Sequence, residues 1–331
     1  MSARAAQRLA FARAALGRPE VGLVPASSDA SFRSYWRTTG CTPSRIVMDA
    51  PPDKEDLGPF LDVAERLRRA DIPAPEVLAR DEARGFLLLT DLGQRLLRAE
   101  LTAERVDARY RQAMDLLLCM QRRTEAGGLP PYDESRLVAE MELMPQWFLL
   151  RHLGITPACE DWDRIESAFR ALLDAALSQP RCFVHRDFHS RNLMVLEDDR
   201  LAVIDFQDAV LGPLTYDLVS LLRDCYVEWP DEQVEAWAEH YRNALHAAGI
   251  AVPGRDAFLR AFDLMGLQRH IKVLGIFCRL WYRDGKPGYL ADLPRVWGYV
   301  QRIGRRHAET KHLIEQLERW IGDRDLSRAA D

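Results

Sequence analysis

The segments HRDFHSRN (residues 185–192) and IDF (residues 204–206) decide the fold of this chain. Four residues separate Asp187 from Asn192, and Asp205 follows thirteen residues after Asn192. The order H-R-D-x-x-x-x-N followed by an aspartate predicts a loop that gathers one carboxylate base and two oxygen ligands.

The residues around these segments predict the local structure that would position them. Apolar residues 182–184 predict a short strand that leads into the loop. Residues 193–196 and 201–206 predict a β-hairpin closed by the polar residues 198–200. A hairpin of this length would return Asp205 beside Asn192, so that both could face one metal ion.

Phosphoryl transfer from ATP needs a base near the acceptor hydroxyl and Mg²⁺ between the β- and γ-phosphates. Asp187 occupies the position of the base, and Asn192 and Asp205 occupy the positions of the two Mg²⁺ ligands. The glycine that usually follows in the third motif is replaced by Gln207, so the match there is partial. The pattern predicts a phosphotransferase that uses ATP and Mg²⁺.

Two other interpretations of the loop are weaker. A turn that hydrogen-bonds its own backbone would explain one such aspartate, but not five matched positions. A metal site at His185, Asp187 and His189 would require a strand to place the three side chains on one face, and this charged loop is a poor strand.

Composition excludes several classes of protein. The chain has 331 residues, 47% of them hydrophobic, and a net charge of −5, which disfavours nucleic-acid binding. The sequence contains no apolar run long enough to cross a membrane. The six cysteines are scattered without a C-x-x-C pair, which predicts reduced thiols and a cytoplasmic location.

The chain predicts two lobes of different composition. In residues 1–92, helices are expected over residues 5–16 and after Asp56. Strands are expected at residues 32–38, 44–50, 77–79 and 86–90. Residues 93–331 are mainly helical, with the catalytic hairpins inserted. The predicted fold class is therefore α+β, with an antiparallel sheet in the small lobe and a large helical lobe.

The motifs and their layout resemble the aminoglycoside phosphotransferase and choline kinase family over nearly the whole chain. The likeness lies in H-x-D-x-H-x-x-N (residues 185–192), in Asp205-Phe206, and in G-P-x-x-Y-D-L (residues 212–218). It implies a protein-kinase-like two-lobe fold that binds ATP and Mg²⁺. Residues 86–93 and 203–210 are more similar to the bacterial kinases of the anomeric hydroxyl of N-acetylmuramate and N-acetylglucosamine. This closer likeness implies a small-molecule amino sugar substrate and cell-wall recycling. A monomer is expected, although the sequence does not determine the oligomeric state.

The resemblance also implies roles for individual residues. Thr90 and Leu92 would pair with adenine at the hinge between the lobes, through a backbone C=O and N–H. Asp217 would hydrogen-bond the catalytic loop, and by its position it also suits the N-cap of the helix predicted over residues 218–226. His185 would support the same loop.

The small lobe departs from the kinase pattern in two places. Ser28 and Ser31 stand in the turn where kinases have a glycine-rich loop, so they would contact phosphate, unless the turn is merely solvated. No lysine occurs near residues 46–49, where the third strand should carry one. Either an arginine such as Arg33 or Arg45 would then contact the α- and β-phosphates, or the metal ion and backbone groups would bind these phosphates without a side-chain cation.

Because that lysine is missing, the glutamates that could have paired with it receive no catalytic role. Glu55 and Glu65 are the candidates, and solvent-exposed salt bridges are the expected use of both.

Several residues could bind the acceptor. Gln207 and Asp208 are expected at the mouth of the cleft, and His189 and Arg191 could either hold sugar hydroxyls or brace the loop. A helix over residues 256–283 carries cations that could bind an anionic group, Arg279 among them, although a solvated basic stripe is the plainer interpretation. The cations are Arg269, Lys272, Arg279 and Arg283.

Other features leave the acceptor open. An acidic run over residues 228–239 would suit a cationic substrate instead. Five aromatic residues could either stack on a sugar ring or pack in the core of the large lobe. They are Trp229, Trp237, Trp281, Tyr282 and Trp297.

Alternative functions are a kinase of another small alcohol, such as an aminoglycoside, choline or homoserine, and a nucleotide-binding pseudoenzyme. A protein kinase is disfavoured because there is no room for an activation segment between Asp205 and Asp217. The sequence does not determine the anomeric stereochemistry or the choice between ATP and GTP.

Overall fold

A computed structural model describes residues 2–28, 32–286 and 288–329. The chain packs as two compact units. The first comprises Met1–Gln112, Arg123–Glu125 and Arg191–Ala209, and the second comprises the remaining segments. The lobe boundary at residue 92 stays a prediction.

The first unit contains a five-stranded antiparallel sheet of order β1-β2-β3-β5-β4. The strands predicted at residues 32–38, 44–50, 77–79 and 86–90 are confirmed within one to two residues at most ends. The strands are β1 (Gly22–Ser28), β2 (Ser34–Thr39), β3 (Arg45–Asp49), β4 (Val77–Asp81) and β5 (Phe86–Thr90).

Helix α1 (Ala3–Leu16) packs on one face of this sheet, as its helical spacing predicts. Phe11 and Ala12 form a buried core with Val47 and Phe86. Helix α2 (Gly58–Arg69) buries the apolar stripe that was predicted after Asp56, because its apolar residues recur every three or four positions.

A second hairpin of the first unit is formed by β7 (Leu193–Val195) and β8 (Leu201–Val203). The predicted hairpin is confirmed, but β8 ends at Val203 and not at Phe206. The strand ends there because Asp205 adopts a left-handed backbone conformation, with φ of 63°, which a strand cannot accommodate.

The second unit is mainly helical and has one two-stranded ladder, β6 (Arg181–Val184) with β9 (Val210–Pro213). Helix α9 (Arg255–Tyr282) is buried along most of its length and forms the centre of this unit. The helix predicted over residues 256–283 is therefore confirmed. Two further helices, α3 (Leu97–Glu100) and α4 (Val106–Arg123), begin in the first unit.

The other helical elements of the second unit follow in chain order. They are α5 (Glu134–Met141), a π-helix (Met144–His152), α6 (Cys159–Leu177), α7 (Tyr216–Leu222), α8 (Asp231–Ala247), a 3₁₀ turn (Leu290–Asp292), α10 (Leu293–Gly304) and α11 (Ala308–Ile321).

All six cysteines are free thiols. Among the residues that the structure describes, no helix is long and apolar enough to span a membrane.

A buried ion pair fixes α1 to the sheet. The carboxylate of Asp49 accepts hydrogen bonds from Arg4 Nη2 at 2.6 Å and from Arg8 Nη1 at 2.8 Å. The Arg8 guanidinium also lies 3.6 Å from the centroid of the Trp36 ring. Asp49 is 3% exposed, and these partners compensate its buried charge.

Replacing Asp49 with alanine is expected to lower the free energy of unfolding by about 3 kcal/mol, because Arg8 would stay buried without its carboxylate. Urea denaturation followed by circular dichroism measures the change. The exposed Asp53→Ala is the matched control and should change stability by less than about 0.5 kcal/mol. Equal stability of the two variants would contradict a structural role for the pair.

Candidate active site

The loop after β6 is held in place by one buried carboxylate. Asp217 accepts hydrogen bonds from the backbone N–H of His185 at 2.7 Å and of Arg186 at 3.0 Å. These bonds fix the loop just before Asp187. Arg186 itself has φ of 76°, a left-handed conformation that costs about 1–3 kcal/mol and tends to persist where function requires it.

The N-cap position predicted for Asp217 is wrong. Helix α7 begins at Tyr216 and has Thr215 at its N-cap, so Asp217 lies in the first turn. Its oxygens bond the amides of the loop rather than those of its own helix. Burial raises the pKa of Asp217 to about 7, while the two amide hydrogen bonds act in the opposite direction and favour the carboxylate.

The other end of the loop is fixed by a residue that the sequence did not reveal. The carboxylate of Asp224 accepts hydrogen bonds from the backbone N–H of Ser190, at 2.9 Å, and from its hydroxyl. The two residues are 34 positions apart, and no motif links them. Asp217 and Asp224 thus hold the loop that carries Asp187 from both ends.

Asp187 lies beside buried positive charge. Its side chain is 41% exposed, and Oδ1 lies 3.9 Å from Nη2 of Arg269, which is 4% exposed. Burial acts to raise the pKa of Asp187, but Arg269 and Lys272 outweigh it and hold the pKa well below its usual range. Asp187 is therefore a carboxylate that a substrate hydroxyl can reach.

Of the four cations predicted to form a basic stripe, Arg269 and Lys272 are buried, which corrects the expectation of a solvated stripe. Lys272 Nζ donates to Tyr216 Oη at 3.1 Å and lies 3.3 Å from Glu140 Oε1. Glu140 also accepts hydrogen bonds from Tyr132 and Arg186. Arg269 and Lys272 can lie buried because the carboxylates of Asp187 and Glu140 compensate their charges.

The predicted metal ligands lie together in the first unit. Asn192 Nδ2 is 3.4 Å from Asp205 Oδ2, and the N–H of Ile204 donates to the C=O of Asn192 at 3.0 Å. Gln207 Nε2 donates to Asp205 Oδ1 at 2.9 Å and to Asp208 Oδ2 at 3.1 Å. Asp208 is exposed.

These ligands fit Mg²⁺ by their chemistry. Mg²⁺ prefers oxygen ligands and is usually bound by one or two carboxylates together with substrate phosphates. Asn192 and Asp205 provide an amide oxygen and a carboxylate. The alternative metal site at His185, Asp187 and His189 is disfavoured. His185 Nδ1 already accepts a hydrogen bond from the backbone N–H of Asp187 at 3.3 Å. Within the described ranges, no group of three His, Cys, Asp or Glu side chains could hold a metal.

Arg33 is buried next to the metal-ligand candidates. Its Nη2 lies 3.7 Å from Asp205 Oδ1, and its Nε lies 4.0 Å from Glu55 Oε2. Glu55 Oε1 also accepts a hydrogen bond from the N–H of Phe32 at 2.9 Å. Glu55 is therefore held next to Arg33 by a partly buried pair, in contrast to the exposed salt bridge expected of it.

Glu65 does form the exposed salt bridges that were predicted, with Arg68 and Arg69 on its own helix.

The segment predicted as the hinge is anchored by Asp91, which the sequence did not single out. Arg37 donates two hydrogen bonds to this carboxylate, at 2.6 and 2.9 Å, and Ser44 donates one at 2.7 Å. The backbone N–H of Thr90 donates to Glu76 O at 3.0 Å. Leu92 is half-buried.

The remaining predicted site residues are spread over both units. Ser28 ends β1 opposite Ser34, and Ser31 lies outside the described residues. His189 is buried, and its ring packs edge-on against Tyr226 at 5.4 Å. Arg191 is half-buried.

One cavity of about 750 Å³ in the first unit is bordered by Thr90 and Leu92. Its other walls come from α2, β4 and residues 71–76. Arg33, Asn192 and Asp205 do not line it. The cavity therefore lies apart from the candidate phosphate ligands.

Comparison with known proteins identifies the family of the chain. The model of the phosphotransferase enzyme family matches residues 22–258, which include the loop, both metal-ligand candidates and Asp217. The chain belongs to the phosphotransferase enzyme family. This membership confirms the family predicted from the motifs.

Relatives within the phosphotransferase enzyme family match nearly the whole chain. An N-acetylmuramate/N-acetylglucosamine kinase of Pseudomonas aeruginosa is 46% identical over 300 residues, covering 90% of this chain and 88% of the relative. A protein of the same name from Neisseria meningitidis is 40% identical, covering 91% of each chain.

Solved structures of the phosphotransferase enzyme family and of related kinases share the fold at low identity. An ethanolamine kinase of Plasmodium vivax has a TM-score of 0.66 at 9% identity, with 89% of this chain and 87% of the other covered. An aminoglycoside phosphotransferase in complex with gentamicin has a TM-score of 0.60 at 14% identity, with coverage of 94% and 98%. The predicted α+β, protein-kinase-like fold is confirmed.

Replacing Arg269 with methionine is expected to shift the pH dependence of phosphotransfer. The depressed pKa keeps Asp187 ionised, and its base form is lost only as the pH falls through that low value. Removing the cation raises the pKa, so the acidic limb of kcat/KM should move upward by about 1–3 pH units.

The measurement is the variant-to-wild-type ratio of kcat/KM as the pH is lowered from 7 to about 3, because the variant should lose its base form at a higher pH than the wild type. Titrations of the substrates affect both proteins equally and cancel in the ratio. Arg283→Met is the matched control, since Arg283 directly follows α9 but is exposed and paired with Asp284. A ratio for Arg269→Met that does not vary with pH would contradict electrostatic control of Asp187.

Proposed function

We propose that this chain is a kinase that uses ATP and Mg²⁺ to phosphorylate the anomeric hydroxyl of N-acetylmuramate and N-acetylglucosamine, in the cytoplasm, for the recycling of cell-wall sugars. One observation carries the substrate. Relatives named N-acetylmuramate/N-acetylglucosamine kinase are 40–46% identical over about nine tenths of the chain. The site geometry supports the reaction type.

In the proposed reaction, Asp187 accepts the proton of the C1 hydroxyl. The sugar oxygen forms a bond to the γ-phosphorus while the bond from that phosphorus to the bridging oxygen breaks, which releases ADP. An anomeric hydroxyl is more acidic than an ordinary alcohol. Because Arg269 holds the pKa of Asp187 low, Asp187 is a weak base. A weak base removes a proton more readily from an acidic anomeric hydroxyl than from an ordinary alcohol.

Asn192 and Asp205 would hold Mg²⁺ in this proposal. When bound, Mg²⁺ neutralises charge on the phosphates during transfer. Gln207 supports the site by donating a hydrogen bond to Asp205 Oδ1, which leaves Oδ2 as the oxygen nearer to Asn192.

Arg33 is proposed to do the work of the missing lysine. Met48 of β3 is paired in register with Tyr35 of β2, and Arg33 precedes Tyr35 by two residues. Because side chains alternate across a strand, this spacing directs Arg33 to the sheet face of Met48. The opposite face carries Val47 and α1. Arg33 forms an ion pair with Glu55 and lies beside Asp205.

The adenine would pair with the backbone of Thr90 and Leu92. Asp91 supports this role, since its bonds to Arg37 and Ser44 fix the backbone between the two residues. Ser28 and Ser31 are proposed to contact the phosphates of the nucleotide. His189, Arg191, Gln207 and Asp208 are proposed as contacts of the sugar.

A cationic acceptor such as an aminoglycoside or choline is less compatible with this site. The acidic residues of the run at 228–239 are largely neutralised by arginines. Glu228 pairs with Arg302, Glu235 pairs with Arg306, and Asp231 pairs with both arginines. Little uncompensated negative charge is left for a cation.

Purified protein with ATP and Mg²⁺ is expected to phosphorylate N-acetylmuramate and N-acetylglucosamine, and to be inactive on their methyl glycosides, because these lack the C1 hydroxyl. Glucose, kanamycin, choline and homoserine complete the panel, and ADP release is measured. Asp187→Asn should lower kcat by about 10²- to 10⁴-fold while nucleotide binding persists. Turnover of kanamycin or choline alone would overturn the proposed acceptor, and inactivity on every compound would favour the pseudoenzyme.

Replacing Arg33 with glutamine is expected to raise the KM for ATP by about tenfold or more, since a charge-assisted phosphate contact contributes about 1.5–3 kcal/mol. Lys54→Gln is the matched control. Lys54 is exposed and lies 4.8 Å from the centroid of the Phe32 ring. If Lys54→Gln rather than Arg33→Gln impaired ATP use, Lys54 would be the phosphate ligand.

A further inference from the structure

We propose that Arg279 of α9 forms a carboxylate subsite, which recognises the lactyl group of N-acetylmuramate and leaves N-acetylglucosamine without this contact. The inference rests on the proposed function and adds a determinant of substrate choice to it. The two sugars differ in one substituent. N-Acetylmuramate carries on its C3 oxygen a lactyl group, which ends in a carboxylate, and N-acetylglucosamine has a hydroxyl there.

The geometry of α9 places Arg279 on the face that reaches the catalytic loop. At 3.6 residues per turn, Arg269, Lys272, Arg279 and Arg283 fall within an arc of about 80°. Arg269 identifies the direction of this face, because its guanidinium lies 3.9 Å from Asp187. Arg279 follows Lys272 by seven residues, which is a rise of about 10 Å along the axis.

The four cations on this face differ in their partners. Lys272 is compensated by Glu140, and Arg283 is paired with Asp284 at 2.7 Å. Arg269 has Asp187. Within residues 2–28, 32–286 and 288–329, Arg279 alone among the four has neither a hydrogen bond nor an ion pair from its side chain.

The environment of Arg279 favours an anion. Its side chain is half-buried, and its Nε is wholly buried without a hydrogen-bond acceptor. Burial and the nearby charge of Arg283 lower the pKa of Arg279. A guanidinium in such a place gains from a carboxylate with which it can form two parallel hydrogen bonds.

Lys272 connects this face to the catalytic carboxylate, since burial acts to raise the pKa of Asp187 but the charges of Arg269 and Lys272 outweigh it. Arg279 is the next cation along the same face. A sugar with its C1 hydroxyl at Asp187 directs its C3 substituent away from that carboxylate.

The test compares the two sugars as a ratio of kcat/KM values. In Arg279→Gln, the ratio of N-acetylmuramate to N-acetylglucosamine should fall by about 10- to 100-fold, the effect of losing a charge-assisted pair. Arg279→Lys should retain most of the ratio, and the matched control Arg283→Gln should keep it within about twofold. The methyl ester of N-acetylmuramate provides an independent arm. Wild-type protein should lose a similar factor on the ester, and Arg279→Gln should not distinguish ester from acid.

The outcomes separate this inference from the proposed function. Wild-type protein that phosphorylates neither sugar would overturn the proposed function. Wild-type protein that phosphorylates both, together with an unchanged ratio in Arg279→Gln or an equal loss on both sugars, would overturn the carboxylate subsite alone.

Discussion

The ion pair between Arg269 and Asp187 is the interaction on which the site depends. A buried guanidinium is costly unless carboxylates compensate it, and an exposed aspartate next to it is held ionised in return. Lys272 and Glu140 repeat the arrangement one turn further along α9. The central helix of the second unit therefore sets the charge state of Asp187.

The charge of Arg269 does not by itself position Asp187. Two other carboxylates hold the loop that carries it. Asp217 bonds the amides just before Asp187, and Asp224 bonds Ser190 just after it. The loop is thus tied at both ends by groups that are themselves fully buried. A loop restrained in this way keeps its base in position before the substrate arrives, which reduces the entropic cost of reaching the transition state.

The sequence predicted the features that depend on neighbouring residues. The strands, the amphipathic helices α1 and α2, and the β7–β8 hairpin all follow from local apolar periodicity and turn residues. The motif positions Asp187, Asn192 and Asp205 were also visible, because their chemistry requires a fixed spacing along the chain.

Partners that are distant in the sequence could not be predicted. Asp91 meets Arg37 across 54 residues and Asp224 meets Ser190 across 34, with no periodicity to link them. The inward turn of Arg269 was missed for the same reason, since an arginine on a helix is usually solvated and only its distant partners show otherwise. The position of Asp217 within α7 differed from the predicted cap because the helix begins two residues earlier than expected.

The central claim is transfer of phosphate to the anomeric oxygen of an N-acetylated amino sugar, with Asp187 as the base. The most direct measurement is the ³¹P and ¹H NMR spectrum of the product formed from N-acetylglucosamine and ATP. The account predicts a phosphorus coupled to H1 of the sugar, and formation of this product about 10²- to 10⁴-fold more slowly by Asp187→Asn. Coupling to H6 or to another ring position, or the same product at the same rate from the variant, would contradict it.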